Sequence, residues 1–118
     1  MTSSSDPLLV IEGDGEVKGW GCLGPYRAGR GALGNVAEVT FYLDQEARGK
    51  GIGTALVKHL ESLAIERGKS HLVAILLDDN QASIRLLNKL GYSLWANFEK
   101  LASFPDGKRG HMYMGKQI

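Results

Sequence analysis

The chain has 118 residues, 43% of them hydrophobic and 23% charged, with a formal net charge of +1, one cysteine and three histidines. This is enough to bury one core and too apolar for compositional disorder, and the near-neutral balance gives no global field for nucleic acid or an anionic membrane. No apolar run can span a bilayer, residues 1–7 lack the basic and apolar regions of a secretory signal, and one cysteine excludes an internal disulfide, so a soluble, cytoplasmic protein is expected.

In chain order, residues 1–7 read as a flexible tail and residues 8–118 as a single domain. Leu8 to Glu12 reads as a strand, Gly13-Asp14-Gly15 as a hairpin turn and Val17 to Leu23 as the antiparallel partner strand. Cys22 lies inside that partner, where a small buried side chain is favoured over a nucleophile. Ala28 to Asn35, with several glycines, predicts a mobile loop. A strand follows over Glu38 to Leu43, then a helix whose apolar Ile52, Leu56, Leu60, Leu63 and Ala64 recur at helical spacing and which stops near Gly68. Ser70 to Leu77 predicts an apolar strand, Asn80 to Leu90 a second helix and Tyr92 to Phe98 another strand. Phe104-Pro105-Asp106-Gly107 turns the chain into a last strand near His111 to Lys116. The order is that of a mixed α/β sheet with helices returning between strands.

The chemistry concentrates in Arg48-Gly49-Lys50-Gly51-Ile52-Gly53-Thr54-Ala55, between the third strand and the first helix. Unpaired backbone N–H groups and the positive end of the helix dipole converge there, and Arg48 and Lys50 add full charges, so an anion is expected. A Walker A loop needs Ser or Thr after Gly-Lys, and Gly51 stands there instead. A G-x-G-x-x-G dinucleotide fingerprint read from Gly49 or Gly51 fails at Thr54 or Leu56. His59, His71 and His111 have no metal-ligand spacing, and no metal is expected. Lys58, Lys108 and Arg109 are too scattered for a nucleic-acid stripe.

Arg48, Gly51 and Gly53 match the acetyl-CoA loop of the GNAT N-acetyltransferase superfamily, and Asp79 to Tyr92 looks like that superfamily's next helix and strand start. The chain resembles most the phosphinothricin N-acetyltransferase-like branch, through Asp14 to Gly21, Gly24-Pro25-Tyr26-Arg27 and Glu38, Val39 and Tyr42. The resemblance implies a mixed, mainly antiparallel GNAT-like sheet flanked by helices, N-terminally shortened: the superfamily's first strand and two helices, which line the acceptor side, have no counterpart here. A natural short form, a fragment, and a subunit whose partner completes the pocket all remain open, and the resemblance favours a homodimer.

The resemblance further implies that the amides of Arg48, Gly49, Lys50, Gly51, Ile52, Gly53 and Thr54 hold the coenzyme A diphosphate. The backbone edge of Phe41-Tyr42-Leu43 would pair with the pantetheine arm like a further strand, one of its N–H groups polarising the thioester carbonyl. Asn80 would contact the same arm or merely cap the second helix. Glu38 would take the proton from the amine acceptor, or be a solvated strand-end carboxylate. Leu87 stands where relatives carry a Tyr or His that protonates the departing thiolate, which leaves Tyr42, Tyr92 or water for that task, with Tyr92 favoured as a core aromatic. Gly31 to Ala37 offers little to hold a phosphinate, although Arg27 and Arg30 could recruit an acidic acceptor. The expected function is acetyl transfer from acetyl-CoA to a primary amine of a small molecule, with an amino acid or an analogue of one as the candidate acceptor. The alternatives are a noncatalytic acyl-CoA-binding module and, more remotely, a nucleotide-binding domain.

Overall fold

Asp14 (φ 54°) and Gly15 (φ 77°) both adopt left-handed backbone conformations, the two-residue turn whose twist suits a right-handed β-ribbon. They join β1 (Leu8–Gly13) to β2 (Glu16–Pro25). These strands belong to a computed structural model that describes residues 8–26, 34–44 and 51–118. The expected tail, most of the expected 28–35 loop, and Arg48, Gly49 and Lys50 lie outside the described residues.

β3 (Val36–Leu43) runs antiparallel to β2, and α1 (Ile52–Glu66) crosses over to β4 (His71–Leu77), which pairs parallel with β3. After α2 (Gln81–Lys89) come β5 (Ser93–Phe104) and β6 (Gly107–Gln117). Among the described residues these strands form one six-stranded sheet ordered β1-β2-β3-β4-β6-β5, with β3–β4 its parallel pair. The mixed sheet expected from the chain order, and the mainly antiparallel character implied by the resemblance, are therefore present.

The last hairpin is longer than expected. β5 reaches 12 residues and β6 11, because pairing resumes beyond an irregularity between Phe98 and Ala102, where Lys100 takes φ 57°. Tyr92, expected to start this strand, instead precedes it as a buried core residue just after Gly91 (φ 93°).

One face of the sheet carries the core. Leu23, Ala37, Val39, Leu72, Ala74 and Met114 share it by register, and Leu56, Val57, Leu60 and Ala64 of α1 and Leu87 of α2 pack against them. Complete burial of each large aliphatic side chain contributes on the order of 1.5–3 kcal/mol, which makes this apolar stripe the main reason α1 docks. A Cβ at Gly21 would come 2.9 Å from Leu60 Cδ1, so the glycine sets how closely α1 approaches β2. Cys22, one residue on, points to the other face and is only partly buried, which corrects the expectation of a buried thiol. That other face carries Tyr26, Phe98, His111 and Tyr113 in a chain of ring contacts with centroids 5.5–6.3 Å apart.

Candidate active site

The two central strands part. β3 and β4 are in register only from Val36 to Glu38 and from His71 to Val73. The β2–β3 ladder nevertheless runs on to Leu43, and the β4–β6 ladder to Leu77. Beyond Glu38 the edge of β3 that faces β4 therefore has no β4 ladder to satisfy it. A cavity of about 390 Å³ fills the gap, lined by Val39, Thr40 and Phe41 from β3, by Ala74 to Leu77 from β4, and by Asp79, Asn80, Ser83 and Leu87. Leu87 is 0% exposed and belongs to the core beneath α2.

A second cavity of about 630 Å³ shares Phe41, Asn80 and Ser83 with the first and extends past Tyr42 and Leu43 to Gly51, Gly53 and Thr54. The two form one elongated channel that ends at the N-terminus of α1. Among the described residues no side chain caps that terminus: Gly51 is the N-cap, and no acidic residue occupies the first turn. The first intrahelical bond is donated by the Ala55 N–H to the Gly51 carbonyl at 3.1 Å, so the N–H groups of Ile52, Gly53 and Thr54 have no acceptor within the helix. With the helix dipole they make a site suited to an anion.

The two described glycines act differently. Gly51 takes φ 75°, and an added Cβ there would meet nothing within 4 Å, so its conformation is what requires glycine. At Gly53 an added Cβ would lie 2.8 Å from Leu43 Cδ1 and 2.9 Å from Leu86 Cδ2. There the missing side chain lets the first turn of α1 seat between β3 and α2.

Residues 2–92 match the acetyltransferase (GNAT) family. The chain belongs to that family. It is 35% identical over 108 residues to YwnH of Bacillus subtilis, provisionally named a phosphinothricin acetyltransferase, covering 91% of this chain and 65% of YwnH. It is 31% identical over 102 residues to the L-amino acid N-acyltransferase MnaT of Escherichia coli, covering 86% of this chain and 59% of MnaT. The crystal structure of a GNAT superfamily phosphinothricin acetyltransferase from Sinorhizobium meliloti in complex with acetyl-CoA superimposes with a TM-score of 0.86 at 27% identity, covering 96% of this chain and 61% of that one. The chain thus spans less than two thirds of the length of these relatives.

Within this GNAT chain, Glu38 is the last β3 residue in register with β4, half-buried, opposite Gly24 on one side and Val73 on the other. It stands at the apex of the parting. Asn80 is the N-cap of α2, and its Oδ1 accepts a hydrogen bond from the Ser83 N–H at 3.3 Å. The helix-cap role is therefore realised, while the same residue borders both cavities. Phe41, Tyr42 and Leu43 line the channel as a strand edge, with Tyr42 52% exposed.

Tyr92 cannot serve as a proton donor to the channel. It is 3% exposed, does not line either cavity, and burial together with the nearby Glu61 charge pushes its hydroxyl pKa well above the ordinary tyrosine value. Glu61 itself is tied to Lys116 Nζ at 3.2 Å.

The sequence reading missed Ser83, Arg85 and Lys89, which line the channel from α2. Arg85 and Lys89 are four residues apart and share a helix face. The spacing was visible, but nothing in it says which way the face points. Among the described residues no group of three or more His, Cys, Asp or Glu side chains is arranged to hold a metal ion, and no helix is long and apolar enough to cross a membrane.

Proposed function

We propose that this chain binds acetyl-CoA along the channel and passes the acetyl group to a primary amine of a small molecule, an amino acid or an analogue of one. The parting of β3 and β4 carries the reading. It presents a strand edge to a narrow cavity, and a pantetheine arm, which has amide donors and acceptors of its own, can pair with that edge as a strand would. The channel's far end fits the coenzyme's diphosphate: the first N–H groups of α1, which have no acceptor within the helix, lie at that end, and Arg85 and Lys89 line it from α2 with positive charge. Arg48, Gly49 and Lys50 complete the phosphate loop in this reading. The relatives named for L-amino acid and phosphinothricin acylation support the acceptor class.

At the apex Glu38 takes a proton from the acceptor ammonium, directly or through a water, and frees the amine lone pair. The amine nitrogen then bonds to the thioester carbon, and an N–H on the β3 edge donates to the developing oxyanion. The nitrogen, which carries one proton too many after the attack, gives it to water as the C–S bond breaks and the carbonyl re-forms, and the sulfur leaves as a thiolate that takes a proton from water in turn. Leu87 has none to give. A coenzyme A thiolate is a tolerable leaving group, so the missing acid slows this step without preventing it.

The test is CoA release across an amine panel, in wild type and in Glu38→Gln. Turnover with amino acids or their analogues that falls in the variant supports the reading. Tight CoA binding with no turnover for any amine favours a second reading, a noncatalytic acyl-CoA-binding module, to which the aliphatic Leu87 already points. A cytoplasmic homodimer belongs to the same proposal. The exposed Leu94, Trp95, Phe98 and Leu101 on edge strand β5 support self-association, and light scattering of the purified chain reads it directly.

A further inference from the structure

The corner between β4 and α2 contributes Asp79 and Asn80 to the channel wall, and the β5–β6 hairpin holds that corner from behind. The Asp78 N–H donates to the Gly110 carbonyl at 3.0 Å, and the Gly110 N–H returns a bond to Asp78 Oδ1 at 2.9 Å. Beside this backbone tie, Arg109 Nε donates to Asp79 Oδ2. Its two terminal nitrogens bond the two oxygens of Asp106 at 2.9 and 2.8 Å, and the group lies 4.7 Å from the Phe104 ring centroid. A planar fork held on two carboxylates and a ring has one available geometry, which a lysine cannot reproduce.

This arrangement has two effects on a polyanion in the channel. It fixes the residue next to Asn80, and so the start of the helix that carries Ser83, Arg85 and Lys89. It also compensates Asp79, a carboxylate that lines the cavity of about 390 Å³ and not the α1 end, and so lowers the negative potential along the channel as a whole.

Resting on the acetyl-CoA reading above, we propose that Arg109 is a positioning residue for the coenzyme, holding the β4–α2 corner in place and cancelling the Asp79 charge that faces the channel. Arg109 is distant in sequence from the glycine-rich junction and acts through Asp79, without touching the ligand.

The experiment is calorimetric titration of CoA into wild type, Arg109→Ala, Arg109→Lys, Asp79→Asn and the Arg109→Ala/Asp79→Asn double variant, at low and high salt, with steady-state kinetics on a working amine. Arg109→Ala should weaken CoA binding about tenfold, raise KM for acetyl-CoA more than it lowers kcat, and lose part of this defect at high salt, where the bare Asp79 charge is screened. Arg109→Lys should keep the charge compensation but lose the geometry, and fall between. Removing Asp79 from the Arg109→Ala background should recover the salt-sensitive part of the lost affinity and leave the part that came from the broken tie, a partial recovery that a merely structural role for Arg109 would not allow. A CoA affinity in Arg109→Ala equal to that of wild type, or no recovery in the double variant, overturns the proposal and leaves the acetyl-CoA reading standing. Failure of the wild type to bind CoA overturns both. Should Arg109→Ala fail to fold, the lysine variant decides: it must weaken CoA binding at both salt concentrations, and an affinity equal to that of wild type overturns the proposal.

Discussion

Gly51 and Gly53 line the channel and Glu38 stands where β3 leaves β4, and single substitutions separate what each contributes. Glu38→Gln keeps the shape and removes the base, so kcat should fall by about 10²–10⁴ while the dissociation constant for CoA stays near that of wild type; equal losses in both would mean that the carboxylate serves binding instead. Gly51→Ala forces a side chain into a left-handed conformation with open space around it, and should cost about 1 kcal/mol of stability, read from a denaturant midpoint. Gly53→Ala meets Leu43 and Leu86 below 3 Å, and overpacking of this kind costs about 1–3 kcal/mol. It should also weaken CoA binding, because the helix terminus must shift to make room, whereas Gly51→Ala should spare more of the affinity. At this scale the sequence was informative wherever a residue's role follows from its own chemistry: Asn80 as a cap, Gly51 as a turn, Leu87 as a side chain with no proton to donate. It was silent on Arg85 and Lys89, whose part depends on the direction in which α2 presents them.

Among the elements, the β5–β6 hairpin was the least legible. Glu99 and Lys100 interrupt the apolar pattern of β5, and an edge strand needs no strict alternation because one side meets solvent, so its length could not be read from periodicity. α1 was legible because Leu56, Leu60, Leu63 and Ala64 recur at helical spacing and pack on the core. Leu60→Ala, at a fully buried site, should accordingly cost about 2–5 kcal/mol in chemical unfolding. The hairpin also carries an acid-sensitive contact. Hydrogen bonding from Arg109 holds the Asp106 carboxyl below its ordinary value of 3.8. A carboxyl whose pKa is lower in the folded state binds fewer protons there than in the unfolded chain, so its stabilisation is present in full above that value and is lost as pH falls through the folded-state pKa. Asp106→Asn should therefore flatten the decline in melting temperature below about pH 4 and leave the curve at neutral pH nearly parallel to that of wild type.

For the molecule as a whole, strand and helix order could be anticipated, and with it the general architecture, because hydrophobic period and turn chemistry act locally. The parting of β3 and β4 could not, since it is a relation between two segments separated by a full helix and leaves no mark in either one's own pattern. Its consequence reaches beyond catalysis. The sheet is two three-stranded halves joined by a seam of three residue pairs, with packing beneath as the other connection. A molecule lying in the cleft along that seam would suture the halves, much as an extra rung stiffens a ladder. The alternate backbone amides from Val39 to Leu43 that point away from β2 should then exchange with deuterium quickly in the free protein and slowly once CoA is added, while those bonded to β2 and those in the β1–β2 ribbon change little.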